Sequence, residues 1–155
     1  SQSLGVSFGE AKDMIDRYFE AYPGVRAYLD ATVEQARECG YAETMFGRKR
    51  HIPELHAGNA NLRGFGERTA MNHPMQGSAA DIIKLAMIEV SRRLREEGFA
   101  AKLLIQVHDE LDFSVPRSEV EALSAMVREV MEGVVELKVP LIADVSSAPT
   151  WAEAH

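Results

Sequence analysis

The sequence predicts an α+β fold, with helices packed on a small antiparallel β-sheet and preceded by a mostly helical lobe. Three observations carry this. Apolar residues recur at helical spacing in four separate stretches. Two β-rich runs flank the polar triplet His108-Asp109-Glu110. Strands and helices do not alternate in the regular manner of a parallel α/β sheet.

In chain order, residues 8–21 place Phe8, Ala11, Met14, Ile15, Tyr18 and Phe19 on one helical face, and Tyr22-Pro23-Gly24 stops that helix. Residues 24–39 repeat the pattern through Val25, Tyr28, Leu29, Val33 and Ala36, and Gly40 ends it. The stretch 41–53 holds two short β-like runs around Phe46-Gly47, a small hairpin with a basic tip. Residues 53–66, rich in Gly, Asn and Pro, read as a loop-rich crossing and mark a boundary between lobes 1–66 and 67–155. A helical pattern follows from Glu67 to Glu97, with a kink or junction expected at Pro74 and Gly77. Residues 101–107 and 111–115 form the strong hairpin around a three-residue insert, 119–137 a further amphipathic helix, 139–145 a final strand, and 146–155 a polar tail.

The chain is 155 residues long with 46% hydrophobic and 26% charged side chains, an ordinary globular composition with room for one domain or two small lobes. No apolar run reaches the roughly 20 residues of a membrane span, and there is no secretory signal pattern. A single cysteine, Cys39, excludes a disulfide framework or a cysteine zinc site, and makes the cytoplasm the expected compartment. The net charge of −7 argues against nucleic acid as a partner, but it is unevenly spread: −3 over residues 1–40, +2 over 41–75 and −6 over 76–155. The middle segment gathers Arg48, Lys49, Arg50, Arg63 and Arg68; on charge alone it reads as a solvated loop of ordinary surface arginines, although a local basic patch in an acidic protein can still bind phosphate.

Two groups of residues could carry chemistry. Asp109 and Glu110 lie between apolar strands in a turn that lacks Gly or Asn-Gly, as if chosen for its side chains. Paired carboxylates projecting from a sheet edge suit Mg²⁺, although Asp is also a favoured turn residue. Arg68, Asn72 and Gln76, at i, i+4 and i+8, make a polar helical stripe able to donate to phosphates or to minor-groove acceptors. The same spacing also describes an ordinary exposed face. The histidines lack metal-binding spacing, and there is no phosphate-cradling glycine loop.

The stretches ERTAMNHPMQGSAADIIKLAMIEV and LIQVHDELDFSV closely resemble the C-terminal part of the family A DNA polymerases. The likeness extends to EAKDMIDRYFEAYPGVRAYLD, GYAETMFGRKRHIPEL and the ending VPLIADV…WAEAH, nearly the whole chain. This resemblance implies a partial fingers lobe in residues 1–66 and a partial palm in 67–155. It implies that Asp109, with Glu110 beside it, helps hold a pair of catalytic Mg²⁺ ions, and that Arg68, Asn72, Gln76, His108 and, with weaker warrant, Arg63 contact primer–template DNA. Template-directed nucleotidyl transfer from dNTP to a primer 3′-hydroxyl, in DNA replication and repair, is the implied activity, with no membrane partner. The family's other metal-binding aspartate segment and its triphosphate-binding fingers helix find no match here. These 155 residues alone are therefore expected to be inactive, and apolar surface exposed without them is expected to favour self-association. The rival expectations are a non-catalytic DNA-binding module derived from a polymerase, and a fragment that merely folds.

Overall fold

The computed structural model describes residues 5–154, and resolves two compact units that meet in sequence at Gly77 and Ser78. His155, the last residue of the resemblance, and residues 1–4 lie outside the described residues.

The first unit opens with α1 (Phe8–Ala21), started by a capping box. Ser7 Oγ accepts from the Glu10 N–H, and the Glu10 carboxylate accepts from the Ser7 N–H at 2.8 Å, which lowers the Glu10 pKa. Helix α2 (Pro23–Cys39) begins with Pro at its first position and ends at Gly40, whose φ of 81° closes the last turn. Cys39 is exposed at this end, with Sγ 2.9 Å from the Gln35 carbonyl oxygen. Strands β1 (Tyr41–Glu43) and β2 (Lys49–His51) pair antiparallel as expected. A 3₁₀ turn (Pro53–His56), helix α3 (Ala60–Asn72) and a π-helical turn (His73–Gly77) complete the unit. The core is small: Val33 and Ala36 of α2, Ala42 of β1, Ile52, Leu55 and Ala70, with Met71 against it. Fully burying Ile52 contributes about 2–3 kcal/mol.

Residues 53–66 are not the loop expected. Asn59 caps α3 by accepting from the N–H groups of Asn61 (2.8 Å) and Leu62, and the helix runs through Gly64 and Gly66. Gly66 serves close packing rather than a break: a Cβ there would stand 2.9 Å from the Leu55 nitrogen. Because α3 packs on the 3₁₀ turn and on α2, residues 67–77, expected in the second lobe, belong to the first compact unit. The amphipathic face of α1 is only partly covered: Ala11 and Phe19 are half-buried, but Phe8, Met14, Ile15 and Tyr18 are all exposed.

The second unit consists of α4 (Ser78–Glu96), the antiparallel hairpin β3 (Lys102–Val107) and β4 (Glu110–Ser114), a 3₁₀ turn (Arg117–Glu119), α5 (Val120–Gly133) and a short α6 (Trp151–Ala154). Ala86, Val90 and Leu94 of α4 meet Leu123, Met126, Val127 and Val130 of α5, and Leu103, Phe113 and Val115 pack onto this core. Glu119 ties the unit together by accepting from the N–H groups of Ala100 and Ala101.

Helix α5 stops at Gly133, short of residue 137. Residues 139–145 form no strand, and at Ala143 the backbone is bound instead to side chains of α5. The Ala143 N–H donates to Glu132 (3.0 Å) and the Ala143 carbonyl accepts from Arg128 (3.3 Å), while Pro140 has no N–H to offer a ladder. The antiparallel sheet therefore occurs as two separate hairpins. No helix among the described residues is long and apolar enough to cross a membrane.

Candidate catalytic hairpin and polar helix face

The β3–β4 hairpin is anchored at its base and bare at its tip. Leu103 and Phe113 pair across the strands and pack into the core of the second unit, and a register shift between Leu103 and Ile105 marks a β-bulge beyond them. Val107 pairs with Glu110, so the loop is two residues, His108 and Asp109, rather than the expected three. His108, Asp109 and Glu110 are all exposed.

The backbone at this tip is unusual. His108 has φ 54°, alone among non-glycine described residues in lying at positive φ. Positive φ at a hairpin loop residue is a conformation in which Gly is the default. For an L-residue the left-handed region costs roughly 1–2 kcal/mol. The neighbouring Gln106 side chain donates to the His108 carbonyl at 2.5 Å and braces the turn. A polar side chain held where the backbone prefers glycine is a device found at functional sites.

Further along β4, Asp112 pairs with Ile105, and its Oδ2 is buried without a hydrogen-bond partner. No group of three or more His, Cys, Asp or Glu side chains among the described residues is placed to hold a metal ion. Asp109 and Glu110 nonetheless offer adjacent, solvent-facing carboxylate oxygens, the donor type that Mg²⁺ takes.

The polar stripe belongs to the first unit. Arg68 and Asn72 on α3 and Gln76 in the π-helical turn are all exposed, while Gly66, Thr69 and Ala70 form the buried side of α3. The Arg68 guanidinium lies back over Gly64, whose Cβ would be 3.4 Å from Arg68 Nη1. Arg63 is partly engaged: its Nη1 donates to the carbonyls of Ala57 (2.9 Å) and Gly58 (2.8 Å), fastening the turn before α3. The expected kink at Pro74 and Gly77 is the π-helical turn. Proline has no N–H for the α-helical ladder, and a wider turn accommodates its ring.

Beside this stripe, the β1–β2 loop forms a contact that spacing along the chain does not reveal. The Arg48 Nη2 donates to the Gly77 carbonyl at 2.9 Å, and His73 Nε2 lies 3.4 Å from the Arg48 carbonyl oxygen. Thr44 and His73 are both buried. In the sequence, Arg48 registers only as charge, and Thr44 not at all. Lys49 stands 4.4 Å from the centroid of the Tyr41 ring, and its pKa is raised by hydrogen bonding to Tyr41 and by the charge of that group.

Comparison with known proteins identifies the family. The sequence profile of DNA polymerase family A matches residues 1–153. DNA polymerase I of Bacillus subtilis (strain 168) is 51% identical over 154 residues, and that of Streptococcus pneumoniae (strain TIGR4) 49%; each alignment covers 99% of this chain and 18% of the relative. The chain thus spans less than a fifth of the length of those proteins. Among solved structures, the POL domain of Pol1 from M. smegmatis, in complex with DNA primer-template and dNTP, superposes with a TM-score of 0.93 at 45% identity, over 99% of this chain and 27% of that one. The chain belongs to DNA polymerase family A.

Proposed function

We propose that this chain contributes one carboxylate arm of the metal site, and part of the primer–template grip, to a template-directed DNA polymerase acting in replication and repair in the bacterial cytoplasm. The observation that carries the proposal is the exposed Asp109-Glu110 pair beside a strained, non-glycine turn on a hairpin whose base is locked into a core. In this reading residues 1–66 are part of the fingers and 67–155 part of the palm, so the division falls inside the first compact unit, with residues 67–77 of the palm portion folded into it.

Asp109 is the principal metal ligand and Glu110 its neighbour; the remaining aspartate comes from another segment of the polymerase. With that partner aspartate, Asp109 and Glu110 would hold Mg²⁺, which when bound would supply Lewis-acid activation of the attacking hydroxyl and charge neutralisation at the leaving group. The protein's own part is positional. The core-anchored strands hold the carboxylates at a fixed reach, and His108, exposed at the same tip, contacts the primer–template near its growing end. Arg68, Asn72 and Gln76 donate to phosphates and to the minor-groove acceptors that every base pair presents, so they grip the duplex without reading its sequence. Arg63, with one nitrogen held by backbone carbonyls, reaches the DNA through its remaining donors. Most dNTP contacts come from segments outside these residues.

The test is primer extension. The 155 residues alone should show none. In a polymerase carrying this segment, Asp109→Ala should lower turnover by at least about 10³-fold while duplex affinity stays within a few-fold. Retained turnover would refute the ligand role. The exposed stripe also suits a non-catalytic DNA-binding module, for which Asp109→Ala would leave every measurable property unchanged.

A further inference from the structure

The π-helical turn His73–Gly77 has a geometric effect on the stripe it interrupts. In an unbroken α-helix, at about 100° per residue, the eight-residue step from Arg68 to Gln76 overshoots two full turns by about 80°, which would carry Gln76 well round the helix from Arg68. A π-helical turn closes i→i+5 rather than i→i+4, so each residue advances through a smaller angle and much of that overshoot is cancelled. The turn thus brings Gln76 back toward the line of Arg68 and Asn72.

The loop of the first hairpin packs against this turn. The Arg48 guanidinium donates to the Gly77 carbonyl at 2.9 Å, at the point where the turn ends. The Arg48 backbone is fixed in its own right: its carbonyl accepts from the Thr44 N–H at 3.0 Å, and its N–H donates to Thr44 Oγ1 at 3.2 Å. From the other side, His73, the first residue of the turn, reaches the Arg48 carbonyl with Nε2 at 3.4 Å. The fit leaves no slack, since a Cβ on Gly77 would stand 2.6 Å from Thr44 Cγ2 and 3.0 Å from His73 Cε1. Both ends of the turn are therefore tied to one residue of a different element.

We propose that Arg48 is a positioning residue for Gln76. By holding the Gly77 carbonyl it fixes the π-helical turn, and so keeps Gln76 on the same face as Arg68 and Asn72. The structural half of this inference stands alone; its consequence for DNA rests on the function proposed above.

Two measurements test it separately. In the 155-residue chain, Arg48→Met removes the donor but keeps the apolar stem, and hydrogen exchange at the amides of residues 75–78 should quicken roughly tenfold while α2 keeps its protection. Arg48→Lys, which retains a donor, should restore protection to within about threefold. Unchanged exchange in Arg48→Met overturns the inference. So does a uniform rise across the whole first unit that Arg48→Lys does not reverse, since that describes general destabilisation. In a polymerase carrying the segment, Gln76→Ala and Arg48→Met should each reduce kcat/KM for primer–template roughly tenfold, chiefly through KM, and the double variant should fall less than about twofold further. Multiplicative losses would overturn the coupling of Arg48 to Gln76. A neutral Gln76→Ala would instead refute the DNA-gripping role of the stripe, leaving hydrogen exchange to decide whether Arg48 fixes the turn.

Discussion

The described residues form two short antiparallel hairpins built to opposite specifications. In β1–β2 the loop obeys its local chemistry. Gly47 takes the positive φ, Thr44 Oγ1 accepts from the N–H groups of Phe46 and Arg48, and buried Ala42 and Thr44 lie against the unit's interior. In β3–β4 the base is equally well packed, but the tip breaks the rule: a histidine occupies the glycine-type conformation, two carboxylates face solvent, and a third carboxylate has an unsatisfied buried oxygen. Where every local preference agrees with the fold, a hairpin serves as support; where one is overridden beside exposed acids, the override marks chemistry.

The sharpest way to break this comparison is to remove one carboxylate from each hairpin. Asp109→Ala should abolish extension, as set out above, while Glu43→Ala on the first hairpin should change it less than about twofold. Comparable effects from both would erase the distinction. Next in size is Gly77→Ala, which drives a methyl into Thr44 and His73 and should destabilise the first unit by about 1–3 kcal/mol in urea melts, with the second unit unchanged.

A reciprocal pair follows. Gly47→Ala meets no close atom, the nearest being Glu43 Oε1 at 3.6 Å, so its expected loss of about 1 kcal/mol comes from backbone strain at φ 81°. His108→Gly should shift stability the other way, by a few tenths of a kcal/mol, because relief of strain slightly outweighs the added freedom of the unfolded chain. It should do so at the expense of primer extension. Destabilisation by His108→Gly would mean that the turn carries no strain.

The smallest effect is a matter of pH. The folded-state pKa of Lys49 lies above its ordinary value, so its contribution is complete below the ordinary lysine pKa and is lost as pH rises through the folded value. Backbone amide shifts of Ala42 and Arg50 should report loosening of the first hairpin only in that alkaline window, and Lys49→Gln should reduce that change. Loosening that begins near neutral pH would point to another group.

Much of this was legible in the sequence, and the reasons are local. Pro23 and Gly40 bracket α2 because a fixed φ starts a helix and a left-handed residue ends one. The hairpins and the interruption at Pro74 follow from the same kind of short-range chemistry. The errors arose where a distant partner decided the outcome. Gly64 and Gly66 read as breakers until α3 is seen to press against the 3₁₀ turn. Residues 139–145 carry a strand-like pattern, yet Arg128 and Glu132 claim the Ala143 backbone. At the candidate site the odd turn chemistry around His108 was visible, but its left-handed backbone was not. Arg48 looked like one more surface charge, because its partner Gly77 stands far along the chain.

Cys39 has a practical consequence. It is the sole thiol in the sequence, it is exposed, and it sits at the end of α2, two residues before β1 begins. A maleimide dye or nitroxide would attach at that one address without any engineered background, beside the base of the first hairpin, where Tyr41 pairs with His51.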